Sequence, residues 1–389
     1  MGYTSQDDLI NQITTNGKRT RLEMFKTTAP VHTAGGWHML AGLGGYPNAA
    51  TFPGATTGNA DLVFQSCWET SGDGVNIIGP QHGGNPGGSA TKHALNVGAL
   101  VVAAAGAPWQ LKLVDLQGYY RLSTTNVTGT SSRTLNNGGT FTADSGTDII
   151  TYTGDFTTYT KVQFSNSGGA LPGGLSAATD YYLVRQSATT AKVASSLSNA
   201  IAGTTIDITS NGTGTNTMTV QMRSASGVGC EACFVVQTAP TGGGPNLTAS
   251  DYTNTAGTSG RAFQGSPSNG AAADAYATRI IHSGNATGRY GPFLPRQGAD
   301  TGIARINSFT WSGGTAYTGS GVIALCIVKP ILDIVVPVTG MYSERDLVNQ
   351  LMSMPKIDDG ACLQWLMFGT GATTTASPVN TTLDIGWGG

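Results

Sequence analysis

The chain has 389 residues, 56 of them Gly, with 11% charged residues and a formal net charge of -2. Soluble proteins average about 25% charged residues and about 7% Gly, so this chain has few charges and many points where the backbone can turn. A near-neutral balance leaves no electrostatic footprint for nucleic acid. No apolar run approaches the about 18 residues that span a bilayer.

Hydrophobic residues make up 39% of the chain, including 13 Tyr, 11 Phe and 6 Trp. That is enough apolar material for a packed core, which argues against disorder. Gly, Thr and Asn between short apolar runs point to many short strands and turns. The Cys are Cys67, Cys230, Cys233, Cys326 and Cys362. An odd number at irregular spacing argues against a disulfide framework and for synthesis in a reducing cytoplasm. The opening Met1-Gly2-Tyr3-Thr4-Ser5-Gln6-Asp7-Asp8 is polar and acidic, unlike a signal peptide.

In chain order, the first expected element is a short helix. Ser5 serves as its cap, Asp8 sits at N3, Leu9 and Ile13 follow at i, i+4, and Asn16-Gly17 closes it. Lys18, Arg19, Arg21 and Lys26 then form the one basic cluster. Strands are expected near residues 61–68, 110–116, 230–237, 303–311, 321–328, 332–338, 363–368 and 383–387. Residues 322–328 are apolar on both faces and read as a central strand. A second short helix is expected from Ser343-Glu344-Arg345-Asp346 through Leu347, Val348 and Leu351 to Pro355. Gly-rich stretches at residues 83–88, 241–250 and 265–272 read as loops.

Residues 142–219 differ in texture. Six short strands are expected at residues 147–153, 161–167, 180–185, 192–194, 204–209 and 215–219, separated by Gly/Ser/Asn turns, and the segment has no Cys, His or Trp. The length suits an immunoglobulin-like β-sandwich inserted into a surface loop of a host domain. The fold class expected is therefore mainly β. The host, residues 1–141 with 220–389, is a β-sandwich, plain or jelly-roll-like, with two short helices; residues 1–30 form its helix and arm. Residues 142–219 are the guest, projecting outward.

Several stretches resemble virion proteins of tailed bacteriophages: Thr33-Ala34-Gly35-Gly36-Trp37-His38 with Gly45-Tyr46-Pro47, Leu113-Val114-Asp115-Leu116-Gln117-Gly118-Tyr119-Tyr120, Asp251-Tyr252-Thr253-Asn254 running to Arg261, and Gly291-Pro292-Phe293-Leu294-Pro295 leading to Asp300-Thr301-Gly302-Ile303. Together they look like a phage head decoration (cement) protein. The segment Gly169-Ala170-Leu171-Pro172-Gly173-Gly174-Leu175-Ser176 followed by Thr179-Asp180-Tyr181-Tyr182-Leu183-Val184 resembles a small β-domain inserted into many phage structural proteins.

The resemblance implies a structural virion protein on the phage head surface. It would bind the major capsid protein at subunit junctions and stabilise the expanded shell. It would be made in the bacterial cytoplasm and associate as a homotrimer, with weak glycan binding by the inserted domain as a further property. The alternative is a tail or fibre component that binds a host-surface glycan or receptor. Partners are protein, with no nucleic acid and no membrane. The residues expected to contact the capsid or a neighbour are Leu9, Ile13, Lys18, Arg19, Arg21 and Lys26. The basic four read either as a patch for an acidic capsid surface or as a solvated helix end.

No catalytic, cofactor or metal site is expected. His32, His38, His82, His93 and His282 show no metal-ligand spacing; His82 stands out for its Gly-rich neighbourhood. Cys230-Glu231-Ala232-Cys233 has no second pair for zinc, and on a strand its two thiols point to opposite faces. The adjacent pair Asp358-Asp359 could serve a glycosidase but reads more readily as a turn. Calcium at Asp148, Asp155 or Asp207 lacks a supporting loop motif.

Overall fold

The computed structural model describes residues 3, 5–27, 35–46, 60–64, 82, 91–102, 107–123, 131–238, 246–264, 278–281, 291–312, 322–349, 354–370 and 378–388. The expected loops at residues 83–88 and 265–272, with residues 241–245, Cys67, His32 and His282, lie outside these residues; residues 246–250, expected as loop, are instead strand, because they pair with residues 309–312. The protein is mainly β, with strands numbered here in chain order. They fall into two antiparallel-dominated sheets and a closed barrel.

The smaller sheet is six-stranded. Its order is β19 (Ser343–Asp346), β5 (Thr91–Val101), β22 (Val379–Gly388), β1 (Arg19–Lys26) and β3 (Gly45–Tyr46), with β20 (Lys356–Ile357) also on β5. The larger sheet is ten-stranded and runs β15 (Asn246–Asn254), β17 (Ile303–Ser312), β7 (Ser131–Asn136), β4 (Ala60–Phe64), β6 (Trp109–Ser123), β18 (Val322–Val336), β14 (Glu231–Thr238) and β16 (Ile280–Ile281). Strand β21 (Leu363–Gly369) joins β6, and β2 (Gly36–Met39) joins β21. The long antiparallel pair β6 and β18 forms the spine. The two apolar runs expected at residues 321–328 and 332–338 are one strand, whose register slips beside Pro330.

The sheets pack as a sandwich because alternate residues of each turn inward. Leu22, Met24, Val97, Ala99, Leu383 and Ile385 of the smaller sheet meet Trp109, Leu111, Leu113, Ile334, Val336 and Trp365 of the larger. Each fully buried side chain of this size contributes about 1.5–3 kcal/mol relative to exposure.

The inserted segment closes into a six-stranded barrel in the order β10 (Lys161–Ser167), β11 (Tyr181–Ser187), β12 (Thr190–Ala194), β9 (Ile149–Tyr152), β8 (Gly138–Asp144) and β13 (Thr215–Val220). An immunoglobulin-like sandwich keeps two open sheets; here β8 pairs β13 from Thr140↔Thr217 to Gly138↔Thr219 and removes the edge. Residues 204–209, expected as a strand, lie outside any ladder. There Ile206 N–H donates to Val193 O at 2.7 Å and Ile208 N–H to Asp148 Oδ1 at 3.0 Å. The barrel interior, with Phe141, Phe156, Phe164, Leu183 and Met218, is continuous with host residues Tyr120, Phe234, Ile306 and Leu325 in one apolar cluster.

Two α-helices are described. Helix α1 (Gln6–Thr14) is where the sequence places it, with Ser5 Oγ accepting from Asp8 N–H at 3.1 Å and Gly17 at φ +63° beyond its end. The other helix, α2 (Leu197–Ile201), belongs to the barrel segment. The helix expected from Ser343 is corrected: Ser343–Asp346 form the edge strand β19, paired with Asn96–Ala99. Leu347 N–H continues that edge by donating to Leu95 O at 2.9 Å. The run of charges that resembled a first helical turn instead suits an exposed sheet edge.

Candidate interaction face

The smaller sheet packs its inner face on the core and turns its outer face away. Strand β1 alternates strictly, so Leu22, Met24 and Lys26 face in, while Arg19, Arg21, Glu23 and Phe25 face out. On β22 the outward residues are Asn380, Thr382, Asp384, Gly386 and Gly388; on β5 they are Asn96, Gly98 and Leu100. Register sets them in rows. Tyr46, Phe25, Asn380 and Leu100 form one row across four strands. Glu23, Thr382 and Gly98 form the next.

Tyr342 lies over Gly98 and its hydroxyl is 2.6 Å from Thr382 Oγ1. A Cβ on Gly98 would stand 1.8 Å from the Tyr342 hydroxyl, so Gly is what admits the ring. Among the described residues, the most exposed side chains at this end are aromatic or apolar. Phe25 is 41% exposed, Tyr46 55%, Tyr342 46%, and Met341 beside it 60%.

The other end is covered. Tyr3 stacks over Gly386 and Gly388, where any Cβ would meet its ring. Leu9 joins Leu95 and Met354 in a small cluster that includes Tyr3, Ile13 and Val348. Burial pushes the Tyr3 phenol pKa up, and Asp8 adds to the shift.

The residues expected to meet a partner divide accordingly. Leu9 is 1% exposed and with Ile13 fastens α1 to its own sheet. Lys26, expected at a surface, is 6% exposed because its even position in β1 turns inward. Its ammonium donates to Leu43 O at 3.1 Å, and burial lowers its pKa to about 8. Arg19 and Arg21 remain outward. Arg19 pairs with Asp384 at 2.8 Å and Arg21 with Glu23 at 3.4 Å. Sequence reading missed Phe25, Tyr46 and Tyr342. Phe25 was signalled, since it shares the parity of Arg19 and Arg21.

The other candidates are structural. Asp358 and Asp359 are each held by a separate lysine, Lys329 at 3.7 Å and Lys92 at 3.6 Å. The Ala361 N–H bond to Asp358 O closes the turn between them and β21. Cys230, just before β14, and Cys233 within it lie in different clusters; Cys233 sits opposite Cys326 in the ladder. All four described cysteines are buried, and burial pushes the Cys230 thiol up to about 12. Among the described residues no group of three His, Cys, Asp or Glu side chains is placed to hold a metal. No described helix is long and apolar enough to cross a membrane.

No family model matches the chain. No curated protein matches it. Among solved structures, one from infectious bursal disease virus, Gx strain, aligns over 79% of this chain and 83% of its own at 11% identity with a TM-score of 0.16.

Proposed function

We propose that this chain is a structural component of a tailed-phage particle, a decoration protein that binds the capsid at subunit junctions and stabilises the expanded shell. The observation that carries this reading is the group of aromatic and apolar side chains that, among the described residues, stand exposed on one half of the outer face. It stands on a sandwich whose inner faces are packed together. Aromatic residues, Met and Arg are the residue types enriched at protein interfaces, and Phe25, Tyr46, Tyr342, Met341, Arg19 and Arg21 supply them here. Many copies bound to the assembled shell add binding free energy to that state alone, which raises particle stability by linkage.

The test compares particles carrying the native chain with particles carrying Phe25→Glu or Tyr342→Ser. Both positions are exposed, and thermal melts of the isolated variants check that both fold. The reading predicts that occupancy falls and the particles disrupt at lower temperature. Unchanged occupancy in both variants contradicts it.

A further inference from the structure

We propose that Asn16, in the link between α1 and β1, is a site of spontaneous covalent modification: it loses ammonia to the backbone nitrogen of Gly17, converts to aspartate and isoaspartate, and so loosens α1 from the sheet. The site is independent of any capsid contact.

Asn-Gly pairs occur in the chain at Asn16, Asn137, Asn211 and Asn269, and the first three lie among the described residues. The reaction needs a side-chain amide that can turn onto the next backbone nitrogen, and a next residue with no Cβ in the way. Sequence alone makes the three alike. Their surroundings do not.

Asn137 is pinned at both ends of its amide. Its Nδ2 donates to Ile306 O at 2.8 Å and its Oδ1 accepts from the Tyr120 hydroxyl. The Gly138 N–H that would have to attack is donated to Asn136 Oδ1 at 3.1 Å. Asn211 is held by Ser145 N–H, which donates to its Oδ1 at 2.7 Å, and the backbone of Ala170, Leu171 and Pro172 closes over Gly212. Asn16 differs. It is exposed, and its Nδ2 donates to Gln12 Oε1 at 3.1 Å on the helix surface. Gly17, at φ +63°, has open space where a Cβ would stand. Among the described residues no acceptor takes its N–H.

The Gly17 nitrogen gives its proton to hydroxide and bonds to Asn16 Cγ. The Cγ–Nδ2 bond breaks, and the side-chain nitrogen takes a proton from water and leaves as ammonia. Water then opens the cyclic imide. Attack at Cγ leaves aspartate; attack at the backbone carbonyl leaves isoaspartate, whose main chain is longer by one methylene. Either product sets a negative charge just past the C-terminal end of α1, where the helix carbonyls already carry partial negative charge. Isoaspartate also displaces the bonds that close the helix, Asn16 N–H to Asn11 O at 3.2 Å and Lys18 N–H to Gln12 O at 2.9 Å.

The experiment ages the full chain in mildly alkaline buffer and follows each Asn-Gly pair by peptide mapping. Converted chains, separated by charge, are then compared with fresh ones by hydrogen exchange. Asn16 is expected to convert about tenfold or more faster than Asn137 and Asn211, since their holding bonds must break first. Its rate should rise with pH, because the nitrogen attacks as its anion. The α1 amides should exchange about two- to fivefold faster after conversion. Asn16→Ser, aged in the same way, should keep the exchange of its own fresh chain.

Asn16 left intact, or Asn137 or Asn211 converting as fast, overturns the assignment of the site. Unchanged α1 exchange in converted chains, or equal loosening in aged Asn16→Ser, overturns the loosening of the helix.

Discussion

Arg223 delivers its guanidinium to the carboxylate of Asp115, and the two form an ion pair whose side chains are 6% and 2% exposed. Asp115 belongs to the spine strand β6; Arg223 stands three residues beyond β13, where the chain returns from the barrel. Cys362 N–H donates to the same carboxylate at 2.8 Å, and Arg223 also donates to Leu116 O at 3.0 Å. Gln117 extends the network by accepting from Ser224 N–H at 2.9 Å. Burial pushes the Asp115 carboxyl pKa up, while Arg223 and the Cys362 amide pull it back. The pair thus ties the barrel's exit to the centre of the larger sheet.

Asp115→Ala leaves the Arg223 charge buried without its partner. Such a change costs about 3–5 kcal/mol, and Asp115→Leu with Arg223→Met should recover much of it. Urea denaturation of the three chains checks this; a loss below about 1 kcal/mol for Asp115→Ala would show the pair to be dispensable.

Asp300 is a second junction, and it responds to acid. Its carboxylate accepts from Arg261 Nε at 2.9 Å, Tyr252 hydroxyl at 2.6 Å and Asn254 Nδ2 at 2.9 Å. The Arg261 hydrogen bond, then that of Tyr252, holds its pKa at about 2, below the ordinary 3.8. The fold therefore favours the charged form. The stability this provides is complete above about pH 4 and is lost as pH falls towards 2. Asp300→Asn should flatten that part of the pH–stability curve, read from thermal melts between about pH 2 and 5.

His82 acts in a separate window. Its Nε2 lies 2.9 Å from Ala361 O, and Lys92 Nζ donates to its carbonyl at 3.4 Å. Burial first, then the Lys92 charge, lowers its pKa from 6.5 to about 4. The fold keeps the ring neutral, so stability is full above pH 6.5 and declines as pH falls towards 4. His82→Gln should lose less between these limits than the native chain; urea midpoints across that range would show it.

Two glycines should respond differently to Ala. At Gly98 the new Cβ meets the far end of the Tyr342 ring, which can swing away. That costs about 1 kcal/mol for the lost hydroxyl contact but strips Tyr342 from the face. At Gly227, φ is +74° and the Cβ would lie 2.0 Å from Ile303 O, a backbone atom. Gly227→Ala should cost about 2 kcal/mol or more. Denaturation midpoints give both values, and faster nitration of Tyr342 reports its release in Gly98→Ala.

Helix α1 and the core strands were legible because local pattern sets them: the Ser5 cap, the apolar run in β18; strands β1 and β5 went unread, β1 because its charges masked its alternation. Closure of the barrel was not, since the β8–β13 pairing joins residues 140 and 217, and no local signal encodes it. The Ser343 segment misled because Leu347 and Val348 follow helical spacing while their partners lie on β5 and α1. The resembling motifs turned out to be junctions. The stretch from Leu113 supplies Asp115 and Gln117; the stretches from Asp251 and Gly291 meet at Asp300. Of the expected contact set, Lys26 failed on parity alone, and Leu9 because a two-turn helix must bury its apolar side on something, here its own sheet. The exposed aromatic group was half legible, since Tyr46 and Tyr342 reach it only through pairing and a Gly98 cradle.

We propose that this chain is a many-copy component of a phage shell. Quantitative gel analysis of purified particles, set against the major capsid protein, tests it most directly. The account predicts a copy number comparable with that of the shell protein. A few copies per particle, or none, would contradict it.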